Sequence, residues 1–394
     1  MATRHRHRDV PHVALIIETS LSYGRGLLRG VARYVRENGP WSVYLEQRSL
    51  YDPAPPWLKS WKGDGIISRA SYRQIARLVV DAGVPTVDLN EEVTGLGLPL
   101  IWNDHRRIGE LAAEHLIERG FTHFGFFGYA NLEWSNSRLK GFQAEVIRRG
   151  LHCAEYASAI KGAIGSRLPR WEEEIEHAAR WIAQLPKPAG VMAANDYRAV
   201  QLLDACRRAK VAVPDQVAVI GVDDEDVACE LANPPLTSIV PDAERIGYEA
   251  AKLLDIMMKG KRIPTHEQFI PPRGLVPRQS TDVTAIADPH VAQAMHFIRK
   301  HACDGISVND VLDEVPVSRS VLQRRFRGML GRSIHDVIRA VRLERVKMFL
   351  MQTDLSLYDI AQRTGFKHSE YLSSVFRQQT GQTISQFRQS PRGG

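Results

Sequence analysis

The last ninety residues carry one segment twice, fifty positions apart. Leu322, Phe326-Arg327, Gly331, Ser333 and Ile334 stand in register with Leu372, Phe376-Arg377, Gly381, Thr383 and Ile384. Leu and Phe four residues apart share one helix face, and each copy follows a short amphipathic stretch and a turn. Each copy therefore predicts a helix-turn-helix. Two such units in one polypeptide can set two reading helices on one face of a duplex. Double-stranded DNA is the first expected partner.

The first unit spans about 308–329, with Val308, Val311, Leu312 and Val315 as its apolar stripe and Pro316-Val317 ending the helix. Ser318 is the expected N-cap of a reading helix over 319–329. With Leu322 and Phe326 turned inward, Arg319, Ser320, Gln323, Arg324 and Arg327 face out. Arginine pairs with guanine edges and glutamine with adenine, so Gln323 and Arg324 are the expected base readers. Arg327 is expected on a phosphate or in an ion pair. The second unit, about 356–379, buries Leu372, Val375 and Phe376 and leaves Lys367, His368, Ser369, Ser373, Ser374 and Arg377 available. Serines beside a lysine suggest backbone positioning more than base selection, or simply small surface positions. A linking helix over about 334–351 would be roughly 27 Å long, enough to hold the reading helices near the ~34 Å of one DNA turn.

Charge follows the repeat. Residues 291–394 hold 16 Lys+Arg against 9 Asp+Glu, whereas residues 1–290 hold 36 of each, so the net +7 lies entirely in the C-terminal part. A basic unit on a neutral body is the electrostatic footprint of a nucleic-acid reader joined to something else. A solvated basic face would give the same balance.

The 394-residue length allows two or three domains. In the first 280 residues, strand and helix signals alternate. Val13-Ala14-Leu15-Ile16-Ile17 reads as a buried parallel strand, followed by strands at 42–46, 65–68, 85–88, 98–103 and 123–128. Helical spacing appears at 27–35, 72–82, 107–119 and 137–149 between them. A second half repeats the pattern, with strands at 189–194 and 217–222 and helices at 172–184, 197–208 and 243–258. This predicts an α/β region of two lobes built on doubly wound parallel sheets, followed by an all-α tandem helix-turn-helix domain.

Ligands in doubly wound folds sit beyond the carboxyl ends of the strands. The polar residues there are Thr19 to Tyr23, Asp104, Arg138, Asn195-Asp196 and Asp223-Asp224. Such groups around a cleft supply the paired donors and acceptors that hydroxyls need, with aromatic faces for sugar C–H edges. Each also has a plain structural reading. Asn195-Asp196 would cap the helix at Tyr197, residues 223–226 would form a solvated N-cap run, and Arg138 would be a surface arginine.

The chain contains no GxGxxG after its first strand, no GxxxxGK[ST], no GxSxG and no HExxH. One contiguous acidic run is a weak metal signal. No catalytic, cofactor or metal site is expected. Cys153, Cys206, Cys229 and Cys303 lie far apart, form no CxxC pair and fit a reducing compartment. No apolar run reaches the ~20 residues of a membrane span, and 13–17 is too short for a signal sequence. A cytoplasmic location is expected, with residues 1–10 as a disordered basic arm.

Five segments, Leu111-x-x-x-His115-Leu116-x-x-x-Gly120, Arg138-x-x-Gly141-Phe142, Ala194-Asn195-Asp196, Val219-Ile220-Gly221-Val222-Asp223-Asp224 and Pro235-Leu236-Thr237-Ser238-Ile239, resemble the periplasmic-binding-protein-like core of LacI-type repressors. The C-terminal repeat, with Gly-x-[Ser/Thr] after each reading helix, resembles the AraC family. Their fusion in this order is similar to the family of xylose-responsive transcriptional activators. The resemblance implies that Asp104, Arg138, Asn195 and Asp223 hold a sugar, which together with Tyr23 makes the expected ligand set. It also implies D-xylose as effector, a homodimer, and RNA polymerase as a partner of an activator. The chain departs from the pattern at Pro241, where many sugar binders carry Gln, and in the loop Ser20-Leu21-Ser22-Tyr23-Gly24-Arg25. Expected domains are 11–280 for the sugar and 281–394 for DNA. The alternative is a cytoplasmic or exported sugar-binding protein with no transcriptional role.

Overall fold

The computed structural model describes residues 10–50, 52–69, 73–90, 92–93, 95–158, 171–261, 263, 267–283, 286, 288–353 and 355–389. The expected basic arm lies almost entirely outside these residues, as does Tyr72. The described residues divide between two compact units, one within 1–284 and one within 285–394.

The first unit opens with β1 (His12–Ile16), α1 (Ser22–Asn38), β2 (Ser42–Leu45), β3 (Gly65–Ser68), α2 (Arg73–Asp81), β4 (Thr86–Asp88) and β5 (Leu100–Asn103). Next come α3 (His105–Glu118), β6 (His123–Tyr129), α4 (Glu133–Arg148), β7 (Cys153–Ser158), α5 (Trp171–Gln184), β8 (Ala189–Ala193) and α6 (Asp196–Arg208). It ends with β9 (Val217–Val222), α7 (Asp226–Leu231), β10 (Thr237–Val240), α8 (Ala243–Met258), β11 (Glu267–Ile270) and β12 (Gly274–Val276). Two six-stranded sheets result, ordered β2-β1-β3-β4-β5-β11 and β7-β6-β8-β9-β10-β12. All neighbours are parallel except β10 and β12.

β1 shows why the strands read as unbroken apolar runs. Val13, Leu15 and Ile17 enter one core cluster and Ala14 and Ile16 the other, so both faces of the sheet are covered. Burying each Val, Leu or Ile side chain here stabilises the fold by about 1.5–3 kcal/mol.

The chain crosses between lobes three times. After β5 it enters α3, which packs on α4 and against β8 to β10; after β10 it enters α8, which packs on α1 and against β3 to β5; β11 and β12 lie in different sheets. The α3–α4 pair is unusually close. A Cβ on Gly109 would stand 2.1 Å from the Arg138 carbonyl, and one on Gly141 would stand 2.0 Å from that of Arg106. The glycine of Arg-x-x-Gly-Phe therefore sets the seat of Arg138.

Three differences from the sequence reading have physical causes. Helix α1 begins at Ser22, so Tyr23 sits in a helical first turn rather than a loop. Helix α4 begins at Glu133, ahead of the expected 137, behind a Leu132 N-cap that makes no side-chain cap bond and so leaves no Ser/Asp signal. Strands β7, β11 and β12 are short or only partly buried and lack a continuous apolar run.

The second unit is all helical: α9 (Pro289–His301), α10 (Val308–Glu314), α11 (Arg319–Leu330), α12 (Ile334–Gln352), α13 (Leu357–Arg363), α14 (Ser369–Thr380) and α15 (Ile384–Gln389). Leu322 and Phe326 are fully buried in one cluster with Val311, Val315 and Ile338; Leu372 and Phe376 fill a second with Val346 and Ile360.

Candidate functional site

In both sheets the order places a topological switch between the first and third strands of the lobe, where doubly wound folds bind ligands at the strands' carboxyl ends. In the first lobe Glu18 follows β1 and Arg69 follows β3, and the two form an ion pair. The Arg69 guanidinium lies 4.6 Å from the centre of the Tyr23 ring. The Tyr23 hydroxyl accepts from Asn103 Nδ2 at 2.8 Å. Burial pushes that phenol up to about 12, so it stays protonated and keeps a proton to donate.

In the second lobe Arg138 is 3% exposed. Its Nε donates to His105 Nδ1 at 3.1 Å, Nη1 donates to the Ala194 carbonyl, and Nη2 donates to Asp223 Oδ1 at 3.3 Å. Because guanidinium only donates, His105 must accept at Nδ1, which leaves its proton on Nε2. Burial and the adjacent Arg138 hold His105 well below its ordinary value, hence neutral. Burial pushes the Asp223 carboxyl up, against the pull of Arg138 and Arg69. Trp134 stacks at 5.0 Å from the Arg138 guanidinium and half faces solvent.

The lobes are bridged. Glu225 Oε2 accepts from Ser22 N at 2.8 Å and Ser22 Oγ at 2.7 Å, while Oε1 pairs with Arg25 at 3.4 Å. These contacts come from the first turn of α1, within the 20–25 segment that departs from the family pattern. Beside them lies a cavity of about 190 Å³ lined by Tyr23, Asp223, Asp224, Pro241, Arg29 and Arg273, among others. Pro241 thus offers an apolar wall where glutamine was the usual residue.

Of the five expected ligand residues, the structure brings Tyr23, Arg138 and Asp223 into this buried region. Asp104 and Asn195 behave first as helix caps: Asp104 Oδ1 accepts from Arg107 N and Asn195 Oδ1 from Arg198 N, each at 2.9 Å. The cap bonds use one polar atom of each, so Asp104 Oδ2 and Asn195 Nδ2 stand outside them. Asp196, grouped with Asn195 in the sequence, is 1% exposed and braces the neighbouring loop, accepting from Glu225 N at 2.8 Å and Ser238 Oγ at 2.6 Å. Burial, reinforced by Asp223, pushes its carboxyl up to about 8.

Glu18, Arg69, Asn103, His105 and Glu225 were missed. Glu18, Arg69 and Asn103 stand just past or at the ends of β1, β3 and β5, so the strand-end rule contained their signal. Glu18 Oε2 and Asn103 Oδ1 are buried with no donor among the described residues. Buried acceptors left unmet are costly, and ligand hydroxyls or a buried water can satisfy them.

In the second unit Ser318, Arg319, Ser320, Gln323, Arg324 and Arg327 are all exposed on α11 or at its start. Ser318 holds the N-cap position, but its hydroxyl makes no cap bond and stands 3.3 Å from Ser320 Oγ. Arg327 lines a groove of about 600 Å³ with Arg332, Asp336, Arg339 and Gln379. The ion pair of α11 belongs to Arg325 instead, with Asp288 at 3.0 Å. Lys367 and His368, just ahead of α14, and Arg377 on it are exposed, and Ser369 is half-buried. Ser373 is also half-buried, and its hydroxyl turns back along the helix to donate to the Ser369 carbonyl at 2.9 Å.

The repeat is also explained. Gly331 and Gly381 end α11 and α14 at φ 64° and 74°, each donating its N–H to the Arg carbonyl four residues earlier at 2.9 Å. The hydroxyl residue two positions on, Ser333 or Thr383, accepts from the N–H of Asp336 at 3.1 Å or of Gln386 at 3.2 Å and starts the next helix.

A two-lobed cleft of polar and aromatic groups, in one chain with two exposed reading helices, defines a sugar-responsive transcriptional regulator. Residues 12–93 match the XylR N-terminal domain, 113–281 the periplasmic binding protein-like domain and 311–390 a helix-turn-helix domain. The chain belongs to the xylose operon regulatory protein family. It is 31% identical to that protein of Escherichia coli (strain K12) over 393 residues, 97% of each chain. It is also 31% identical to that of Haemophilus influenzae over 384 residues, 95% of this chain and 97% of the relative. A solved structure described as the xylose-binding transcription activator XylR gives a TM-score of 0.82 at 30% identity, covering 97% of this chain and 99% of that one. The transcriptional regulator CelR in complex with cellobiose, 22% identical with a TM-score of 0.55 over 68% of this chain and 84% of that one, has the fold of the first unit. Among the described residues no helix is long and apolar enough to cross a membrane.

Proposed function

We propose that the chain is a non-catalytic, D-xylose-responsive transcriptional activator of the cytoplasm. In this reading residues 11–280 hold the sugar, and residues 281–394 bind operator DNA as part of a homodimer and engage RNA polymerase. The pentose and the sign of regulation rest on the relatives' names. The ligand set is Tyr23, Arg138 and Asp223, with Asp104 Oδ2 and Asn195 Nδ2 from the helix caps. A phenol proton, guanidinium N–H groups and carboxylate lone pairs complement a polyol, whose hydroxyls both donate and accept. The observation that carries the reading is the Arg138–Asp223 pair in a cleft whose lobes are joined through Glu225. On the DNA side, Gln323 and Arg324 take base edges. Arg319, Arg327, Lys367, His368 and Arg377 take phosphates, with Ser318, Ser320 and Ser369 at the helix starts; Ser373, bonded to its own helix, is left out of this set.

Sugar closing the cleft would favour one of two arrangements of the chain, and the gain is bounded by the sugar's differential affinity for them. Calorimetry against a panel of pentoses and hexoses, followed by gel retardation on promoter DNA with and without each binder, tests the reading. D-xylose should bind and change the DNA complex. Binding of another sugar alone would reassign the effector, and binding without any effect on DNA would refute the regulatory role.

A further inference from the structure

The loop after β9 is held in an unfavourable shape by contacts that lead away from the ligand region. Asp223 and Asp224 are consecutive non-glycine residues at φ 106° and 48°, a region sparsely populated by residues with a Cβ. Asp223 N donates to the Ile239 carbonyl at 2.9 Å and Asp224 N to Ser238 Oγ at 3.0 Å. The Asp224 carboxylate forms an ion pair with Arg278 at 2.8 Å, and both side chains are largely buried. Arg278 is itself fastened twice, with Nη1 donating to the Leu236 carbonyl at 3.0 Å and its backbone N donating to Thr237 Oγ1 at 2.8 Å.

From Arg278 an ordered chain of hydroxyls runs to α3. Arg119 Nη1 lies 3.1 Å from His115 Nδ1 and can only donate, so His115 donates through Nε2 to Thr281 Oγ1 at 2.8 Å. Thr281 then donates to Thr237 Oγ1 at 2.8 Å, and Thr237 donates to the Arg278 carbonyl at 2.9 Å. Arg119 Nε also donates to the Thr281 carbonyl at 2.9 Å. Residues 278–283 are the last described stretch of the first unit before the chain continues toward α9.

We propose that Arg278 is a positioning residue: it clamps the strained Asp223-Asp224 turn so that Asp223 meets the ligand, and ties that turn to the segment by which the chain leaves the first unit. The inference rests on the proposed role of Asp223 as a sugar ligand. Arg278 does not touch the ligand; it acts through Asp224. A sugar drawing on Asp223 shifts a turn poised between strained and relaxed shapes, and Arg278 passes that shift to residues 279–283. Arginine suits the task because one planar group serves the Asp224 carboxylate and the Leu236 carbonyl at once.

The test uses the full chain with Arg278→Met, Arg278→Lys and Asp224→Asn, each first checked for native circular dichroism. Amide hydrogen exchange is read at 223–225 and at 279–283 without sugar, and D-xylose affinity by calorimetry. Arg278→Met and Asp224→Asn should speed exchange in both segments together and weaken D-xylose about tenfold, which is about 1.4 kcal/mol. Arg278→Lys should recover part of both effects. Faster exchange confined to 279–283, with 223–225 and sugar affinity at wild-type values, would overturn the proposal. If the unaltered chain takes up no sugar, the proposed function fails by itself, and the paired exchange response still decides whether Arg278 links the two segments. Asp224→Asn keeps the decision open should Arg278→Met fail to fold.

Discussion

Arg138 and Asp223 leave separate strand–helix units of one lobe and meet at 3.3 Å, on a guanidinium that also donates to His105 at 3.1 Å. The pair is sensitive because Arg138 is almost wholly buried. Arg138→Met should weaken D-xylose about 100-fold or more. It should also lower stability by about 3 kcal/mol, since removing one partner strands a buried charge. Calorimetry and urea unfolding measure the two effects. An unchanged sugar affinity would remove Arg138 from the ligand set.

His115 gives the first unit a pH dependence. Burial and the neighbouring Arg119 push the imidazole down to about 4, below its ordinary 6.5. The folded chain keeps it neutral, while the unfolded chain takes up a proton below about 6.5. Its contribution is therefore present above about pH 6.5, is lost progressively as pH falls, and levels off below about pH 4, amounting to about 3 kcal/mol. Urea midpoints of wild type and His115→Gln between pH 7 and 4.5 should converge as pH falls. Parallel curves would contradict the assignment.

The two glycines of the α11 region should respond oppositely to alanine. Gly328 lies inside the helix, and a Cβ there meets nothing within 4 Å. Gly328→Ala should stabilise the second unit by about 0.5–1 kcal/mol. Gly331 sits at φ 64°, so Gly331→Ala should cost about 1 kcal/mol. Thermal unfolding of the full chain, followed at the transition assigned to the second unit, reads both shifts. The same sign for both would contradict the helix ending.

Base reading and phosphate contact separate by their salt and sequence dependence. Arg324→Ala should cost about 1–3 kcal/mol against the specific site and little against random DNA. Lys367→Ala should weaken both alike and reduce the salt slope by about one. Fluorescence anisotropy at several salt concentrations checks this. Equal loss on specific and random DNA for Arg324→Ala would move it to the phosphates.

What the sequence disclosed depended on how local the signal was. The repeat, the strand–helix alternation and Arg138 were legible because period, spacing and a Gly-Phe companion are local. The meeting of Glu18 with Arg69 was not, because it requires the order β2-β1-β3, which no local pattern carries. Glu225 was hidden for the same reason, since its partners Ser22 and Arg25 come from the other lobe. Asp104 and Asn195 kept both readings at once: one oxygen caps a helix and the second polar atom remains available. Tyr23 reads as loop from sequence because no Ser/Asp cap precedes α1, whose N-cap is Leu21.

The central claim is that a sugar held by Arg138 and Asp223 changes how the tandem helices engage DNA. Its most direct test is the affinity and stoichiometry of the full chain on its own promoter, titrated with and without saturating D-xylose, beside Asp223→Asn. The account predicts a sugar-dependent change in the DNA complex for the unaltered chain and none for Asp223→Asn, whose sugar-free DNA affinity stays at the wild-type value. A DNA complex indifferent to sugar in the unaltered chain, or an undiminished response in Asp223→Asn, would contradict it.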